Sequence, residues 1–509
     1  TEVTSGVAWA RRGSATRIAI RPFSLIIPVI LFACVSAFLV ATDPDYWWHL
    51  SAGRLMLETG SFPRVDPFSH TVAGQPWVAH EWLSEVLYAA VDRVGGYAAN
   101  AALFGLVGAL IVALVYATCR ARGLGDVGAA LLALWSFAIA FPVANWRPQL
   151  LTTALLALYA HLLTRYQQGS TRTLRALPPL MVLWVNLHGG YVIGLVLLGL
   201  TLAGGVWTWL RRQGGPPLRP LIIAAALTAA ATLASPLGLE ALRYPFLYAG
   251  SGNFAMRFIA DFQSPDFHQA SYLPLALSFL LALAVGLGRR PLRPADLAWG
   301  LVFTYMALTS VRHIQLYAVI VLPLLGARLA AEDWAIRTGR HLGRGRARLI
   351  LITLLWLPAA LLGGLVVGGA QSGTAVQLRG EPNAAGYPAG AADYIRAHHL
   401  RGNLFNEFHW GGYLIYRLYP EQRVFIDGRA DVYGEAFLEQ YQHILRAEND
   451  WRAIFARYDI ALVVVGKESP LAGALATDPA WQEVYAGEVE RLFTRRASGQ
   501  APPAASTGR

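Results

Sequence analysis

The hydrophobic positions of this chain fall into long, uninterrupted runs. The first, Pro22–Ala41, contains no charged residue, and about 20 apolar residues are what a helix needs to cross a bilayer core. Runs bounded by charged or Pro/Gly-rich breaks predict further spans at about 97–118, 126–143, 149–166, 176–188, 190–210, 220–236, 271–288, 295–310, 314–331 and 349–370. With the first they make about eleven, and the pattern predicts a polytopic α-helical membrane protein. Pro22–Ala41 follows Arg11, Arg12, Arg17 and Arg21, but it is long for a secretory h-region and lacks a clean small-residue cleavage pattern, which predicts an uncleaved helix.

From about Gln371 the pattern becomes that of a soluble domain. Asn403–Phe408, Arg423–Ile426 and Ile460–Val465 predict buried strands, and Ala392–His399, Ala436–Arg446 and Trp451–Tyr458 predict helices. Trp481–Arg495 predicts a terminal strand pair. The expected plan is therefore a cytoplasmic segment 1–20, a membrane domain 21–370 whose first outer loop is 42–96, a small C-terminal α/β domain 371–498, and a disordered tail 499–509.

Composition agrees, with 55% of residues hydrophobic and 14% charged. The net charge of +11 is mostly a topology signal. Arg120 and Arg122, then Arg165, Arg172 and Arg175, then Arg211, Arg212 and Arg219 fall in alternate loops, followed by Arg289, Arg290 and Arg293 and by Arg337, Arg340, Arg344, Arg346 and Arg348. Short cytoplasmic loops collect such residues, so nucleic acid is not an expected partner. Cys34 and Cys119 lie in or at the end of apolar segments and suggest neither a disulfide framework nor a cysteine metal site.

This topology gathers the chemically rich side chains on the outer face. Asp43 and Asp45 flank Pro44 directly behind the first span and lead into Tyr46, Trp47, Trp48 and His49. Such carboxylates serve as loop acids or as a cap for a helix beginning near Trp48, or as a general base with a partner or metal ligand; the aromatics fit an interfacial belt or a sugar-stacking wall. His80 and Glu81 open a second amphipathic segment, where Glu81 suits a helix N-terminus and His80 suits phosphate or metal. Arg147, just before Pro148, snorkels to headgroups or points a fork of donors at an anion. Asn186, His188, Arg312 and His313 occupy two further outer turns. Arg and His from three outer ends suggest a phosphate site for a membrane-embedded molecule. In the soluble domain, Asp427-Gly428-Arg429 at a strand end is either a binding loop or a turn with an internal ion pair.

On these residues the chain resembles the GT-C superfamily of integral-membrane glycosyltransferases, especially bacterial proteins with an RgtA/B/C/D-like domain. The resemblance covers about residues 20–370 and rests on the Asp-containing first outer loop, its two amphipathic segments and the outward C-terminal domain. His80-Glu81-Trp82-Leu83 stands where related transferases carry His-Pro-Pro-Leu or Lys-Pro-Pro-Leu, and the soluble domain lacks the Trp-Trp-Asp motif of oligosaccharyltransferases. The resemblance implies a polyprenyl-phosphate sugar donor taken laterally from the membrane and inversion at the anomeric carbon.

The expected assignments are Asp45 as base with Asp43 as its close rival or tuning partner, and Arg147, Arg312, His313 and His188 at the donor phosphate. Trp47, Trp48, His49, His80, Glu81, Asn186, Asp427 and Arg429 are expected to bind substrate. No cofactor is required by any motif; a divalent cation, Mg or Mn, is left open, with Asp43 and His80 as its ligands. Expected partners are the donor, membrane lipids and a glycan, lipid or protein acceptor, at a bacterial cytoplasmic membrane with the site outside. A flippase of lipid-linked glycans or a non-catalytic envelope assembly protein are the alternatives; a transporter would carry polar residues near midplane in several spans, and these spans are almost wholly apolar.

Overall fold

The computed structural model describes residues 25–37, 43–247, 259–286, 292–372, 386–448 and 450–496. The expected cytoplasmic segment 1–20 and the tail 499–509 lie outside them. A helix occupies every predicted span. Ile26–Ser36 (α1) is followed, after the first long loop, by Asp126–Ala140, Gln149–Gln167, Leu177–Leu187, Tyr191–Leu210 and Leu218–Ala231. Leu273–Gly286, Pro294–Thr309, Ile314–Leu329 and Gly345–Ser372 complete the bundle.

The remaining span shares one long helix, Trp82–Ala121 (α3), with the second amphipathic segment of the loop. Gly95 and Gly96 break it, Gly96 with φ +62° and ψ −154°, a conformation that suits a residue without Cβ. Among the described residues, four helices are long and apolar enough to cross a membrane: Trp82–Ala121, Asp126–Val143, Tyr191–Leu210 and Gly345–Gly364. A fifth counts if Val311–Leu329 and Asp333–Leu342, which meet at a 98° bend, form one broken span. Several of the other helices are shorter than their apolar runs: Leu177–Leu187, for instance, begins with prolines at its N-terminus and stops before the His188-Gly189-Gly190 turn.

The C-terminal sheet has strand order β1-β2-β4-β3, with β1 Asn403–Asn406, β2 Ile460–Gly466, β3 Trp481–Ala486 and β4 Glu490–Arg495. β1 and β2 run parallel; β2–β4 and β3–β4 are antiparallel. The aliphatic run of β2 is buried on both faces, as a central strand requires. On one face Leu404, Leu462, Val464 and Leu492 share a core with Tyr46, Trp47 and Tyr88 of the first loop. On the other, Phe405, Val463, Val465 and Phe493 pack under the helices Glu435–Leu445, Trp451–Arg457 and Pro470–Thr477. The first loop and the sheet thus bury their apolar surface against each other, which fixes the loop that carries the acids.

Three local expectations are corrected. Arg423–Ile426 is not a strand: Val424 forms a single bridge with Ser69, because its amide donates to Phe68 O at 3.1 Å and its carbonyl accepts from His70 N at 3.0 Å. The strand predicted to Phe408 ends at Asn406, and Phe408–Leu418 is helical. The helix placed near Trp48 begins at Pro44.

Candidate functional site

Pro44–Thr59 (α2) starts at the acids themselves. Asp43 is its N-cap, with Oδ1 accepting from Asp45 N at 2.9 Å, and Pro44 takes the first helical position, where no amide hydrogen is needed. Gly60 ends the helix at φ +63°. Asp43 is buried, whereas a fifth of the Asp45 side chain stays exposed.

Arg147 gathers three carboxylates. Its Nε lies 2.6 Å from Asp43 Oδ1, one terminal nitrogen 3.1 Å from Asp45 Oδ2 and the other 2.8 Å from Asp261 Oδ2. The sequence reading put Arg147 on a donor phosphate; in the structure all three of its nitrogens face aspartates. Burial pushes the Asp45 carboxyl up to about 6; Arg147 opposes that shift, and Asp43 and Asp261 add to it. Asp261 sits in the turn Ala260–Phe262, held by Ser310 Oγ donating to its carbonyl at 2.8 Å. Arg312, two residues beyond Ser310, places its guanidinium 4.3 Å from the centre of the Phe262 ring. Gly428 covers Asp45 from the C-terminal domain, so closely that a Cβ there would overlap the carboxylate.

A second centre forms around Glu81. Its Oε1 lies 3.2 Å from His188 Nε2 and 3.6 Å from His80 Nε2, and its Oε2 lies 3.6 Å from His49 Nε2. His49 Nδ1 is 3.2 Å from Glu85 Oε1. Burial raises Glu81 to about 8 and lowers His80 to about 4, and it holds His49 and His188 well below the ordinary imidazole range. Gly190 N donates to His188 Nδ1 at 2.8 Å, so a neutral His188 carries its proton on Nε2, facing Glu81. The His80 ring stacks on Tyr244 at 3.7 Å.

His49, Glu81 and Glu85 offer one ligand atom each within 4.8 Å of one another. Imidazole plus two carboxylates suits a divalent cation, and Glu85 Oε2 is buried without a hydrogen-bond partner. The sequence named Asp43 and His80 as the metal pair; neither belongs to this group, because Arg147 occupies Asp43 and Tyr244 covers His80.

Other expected site residues sit in structural positions. Trp47 is buried between Tyr97, Tyr413 and Tyr416, and Trp48 is 6% exposed. Asn186 accepts from Trp82 Nε1 at 3.0 Å and donates to the carbonyls of Val182 and Ala234. Asp427 and Arg429 form the internal ion pair of a turn: Arg429 donates to Asp427 at 2.8 and 2.6 Å, reaches Asp66 of the first loop at 2.6 Å, and lies over the Trp77 ring. His313 ends the turn Val311–His313 next to Arg312. Glu85 was not singled out in the sequence, and Gly428 only as the middle of the Asp427-Gly428-Arg429 turn. Glu85 had a readable signal, standing one helical turn beyond Glu81, whereas the approach of Gly428 to Asp45 is purely tertiary.

The fold has solved counterparts. The chain is similar in fold to ArnT from Cupriavidus metallidurans bound to undecaprenyl phosphate, at 16% identity over 94% of this chain and 99% of that one, with a TM-score of 0.54. The archaeal oligosaccharyltransferase AglB from Archaeoglobus fulgidus, in complex with an inhibitory peptide and a dolichol-phosphate, matches at 12% identity over 87% of this chain and 69% of that one, with a TM-score of 0.53. The likeness is one of fold, and at that level it agrees with the resemblance read from the sequence. No protein-family model and no curated protein matches the chain.

Proposed function

We propose that this chain is an inverting glycosyltransferase with about eleven membrane spans, transferring a sugar from a polyprenyl-phosphate donor to a hydroxyl acceptor on the outer face of a bacterial cytoplasmic membrane. The observation that carries this reading is a part-exposed carboxylate, Asp45, poised at about 6 and held by Arg147 between Asp43 and Asp261 next to an apolar helical bundle. A base poised near neutrality is what deprotonation of a sugar hydroxyl needs. Support for the donor class comes from ArnT, whose solved structure holds undecaprenyl phosphate, and from AglB, which holds a dolichol-phosphate.

In this mechanism Asp45 takes the proton of the acceptor hydroxyl as its oxygen attacks the anomeric carbon. The bond from that carbon to the phosphate oxygen breaks, and polyprenyl phosphate leaves with the electron pair. Arg147 and Asp43 orient Asp45 and set its basicity. Arg312, whose charge bears on Glu81, His80 and His188, stabilises the departing phosphate, with His188 and His313 beside it. A divalent cation, when held by His49, Glu81 and Glu85, would supply positive charge for that same phosphate. The acceptor is a glycan, lipid or protein hydroxyl.

The test is incubation of the purified protein in lipid with a panel of radiolabelled polyprenyl-phosphate monosaccharides and cell-envelope extract. Donor consumption with inversion in the product supports the reading; binding of donors without consumption favours a flippase or an assembly protein.

A further inference from the structure

The C-terminal sheet carries a crevice that the transfer chemistry does not use. The chain leaves the carboxyl end of β1 into the helix Phe408–Leu418, which packs on the face of Leu404 and Val464. It leaves the carboxyl end of the adjacent parallel strand β2 into Pro470–Thr477, which packs on the opposite face with Phe405 and Val463. Two neighbouring parallel strands whose connections diverge to opposite faces make a topological switch point, the place where open α/β sheets bind ligands. A cavity of about 870 Å³ lies there, within the size range of small-molecule sites.

The crevice is built in advance of any ligand. Glu407 Oε1 accepts from Gly466 N at 2.6 Å, tying the two diverging loops together, and Tyr441 Oη accepts from Phe408 N at 2.7 Å. Ser469 Oγ is buried there without a hydrogen-bond partner. Lys467, the single lysine of a chain with 42 basic residues, stands exposed on the rim.

From this geometry we infer that the crevice binds a saccharide, as a subsite for an oligosaccharide acceptor. Glu407, Glu468 and Glu488 line the crevice together with Arg446 and Lys467, an excess of one negative charge that disfavours a strongly anionic ligand. The lining offers acceptors and donors, with Gln442 as both, which match hydroxyl groups that each donate and accept, and Trp410 and Tyr441 are among its side chains. The helix Phe408–Leu418 links the crevice to the acids: it starts at the cavity, and a Cβ on its Gly412 would lie 2.6 Å from Pro44 O. Gly412 stands four residues, about 6 Å of helix rise, beyond Phe408, a separation an oligosaccharide spans. The word acceptor rests on the glycosyltransferase reading; saccharide binding does not.

The test is calorimetric titration of full-length Asp45→Asn protein in lipid nanodiscs, which removes turnover, with maltotriose, chitotriose, mannotriose and cellotetraose. We expect at least one to bind, sulfate not to displace it, and the double variant Lys467→Ala/Glu468→Ala to weaken it roughly tenfold or more, the scale of a lost charged hydrogen bond. Both residues are exposed, and an unchanged melting temperature checks that the fold is kept. Absence of binding to all four, binding untouched by the double variant, or displacement by sulfate overturns the inference. Failure here with donor turnover intact in wild type removes only this site; saccharide binding without turnover removes only the enzyme reading.

Discussion

Gly428 rests directly on Asp45: the backbone of the Asp427–Arg429 turn approaches the carboxylate so closely that a methyl group at Gly428 would overlap it. The C-terminal domain thereby sets where the Asp45 carboxylate, the proposed base, can stand. Gly428→Ala is expected to displace Asp45 and to lower turnover on the order of a hundredfold while donor binding and the melting temperature change little. Steady-state kinetics beside a thermal melt separate the two effects. Activity close to wild type would show that the turn does not position the base.

The pH profile should report Asp45. Its carboxyl is pushed up to about 6, and the base works only when ionised, so turnover should rise with pH through about 6 and level off above. Replacing Arg147 with Gln removes the cation that favours ionisation and leaves Asp43 and Asp261 opposing it. The acid limb should then move to higher pH. A limb that stays in place would mean that another group titrates in the wild-type profile.

The same shift bears on stability. A carboxyl that titrates at about 6 in the folded protein and at its ordinary 3.8 when unfolded holds its proton better in the fold. Its stabilising contribution is present at acid pH and lost as pH rises between those values. Asp45→Asn, which cannot ionise, is therefore expected to melt slightly higher than wild type at neutral pH, with the difference shrinking at pH 4. Equal melting curves at both pH values would contradict the assigned shift.

Arg429 joins Asp427 of the C-terminal domain to Asp66 of the first loop, and all three are buried. Removing the cation strands two carboxylates, which costs about 3–5 kcal/mol where a buried pair is broken. Arg429→Met is expected to lower the denaturation midpoint and expose the first loop to protease. The triple variant with Asp66→Asn and Asp427→Asn should recover part of the loss, and its failure to do so would argue against the ion-pair account.

Metal content tests the second centre. Elemental analysis of purified protein is expected to find a divalent ion in wild type and to lose it in Glu85→Gln, because His49, Glu81 and Glu85 are the group of side chains close enough to share one among the described residues. Retention in that variant, or no metal in wild type, would leave the cluster as a buried hydrogen-bonding network.

The bundle was legible because apolar runs report helices directly: each predicted run contains a helix, although among the described residues only four or five helices are long and apolar enough to span a membrane. Asp43 and Asp45 were legible from their position behind the first run, and Glu81 from its place in the amphipathic segment. The local pattern could not show that Arg147 would meet Asp261, more than a hundred residues away in sequence. Nor could it show that Val424 would spend its backbone hydrogen bonds on Phe68 and His70, leaving Arg423–Ile426 outside the sheet. Trp47 was misleading for a related reason: a tryptophan at a membrane surface reads the same whether it faces a sugar or, as here, the rings of Tyr97, Tyr413 and Tyr416.

The central claim is that Asp45 drives sugar transfer from a polyprenyl phosphate. The direct measurement is single-turnover release of radiolabelled sugar from that donor in nanodiscs, comparing wild type with Asp45→Asn and Asp43→Asn. The account predicts a loss of roughly a hundredfold or more in Asp45→Asn with donor binding retained, and a smaller loss in Asp43→Asn. Equal release by wild type and Asp45→Asn would contradict it.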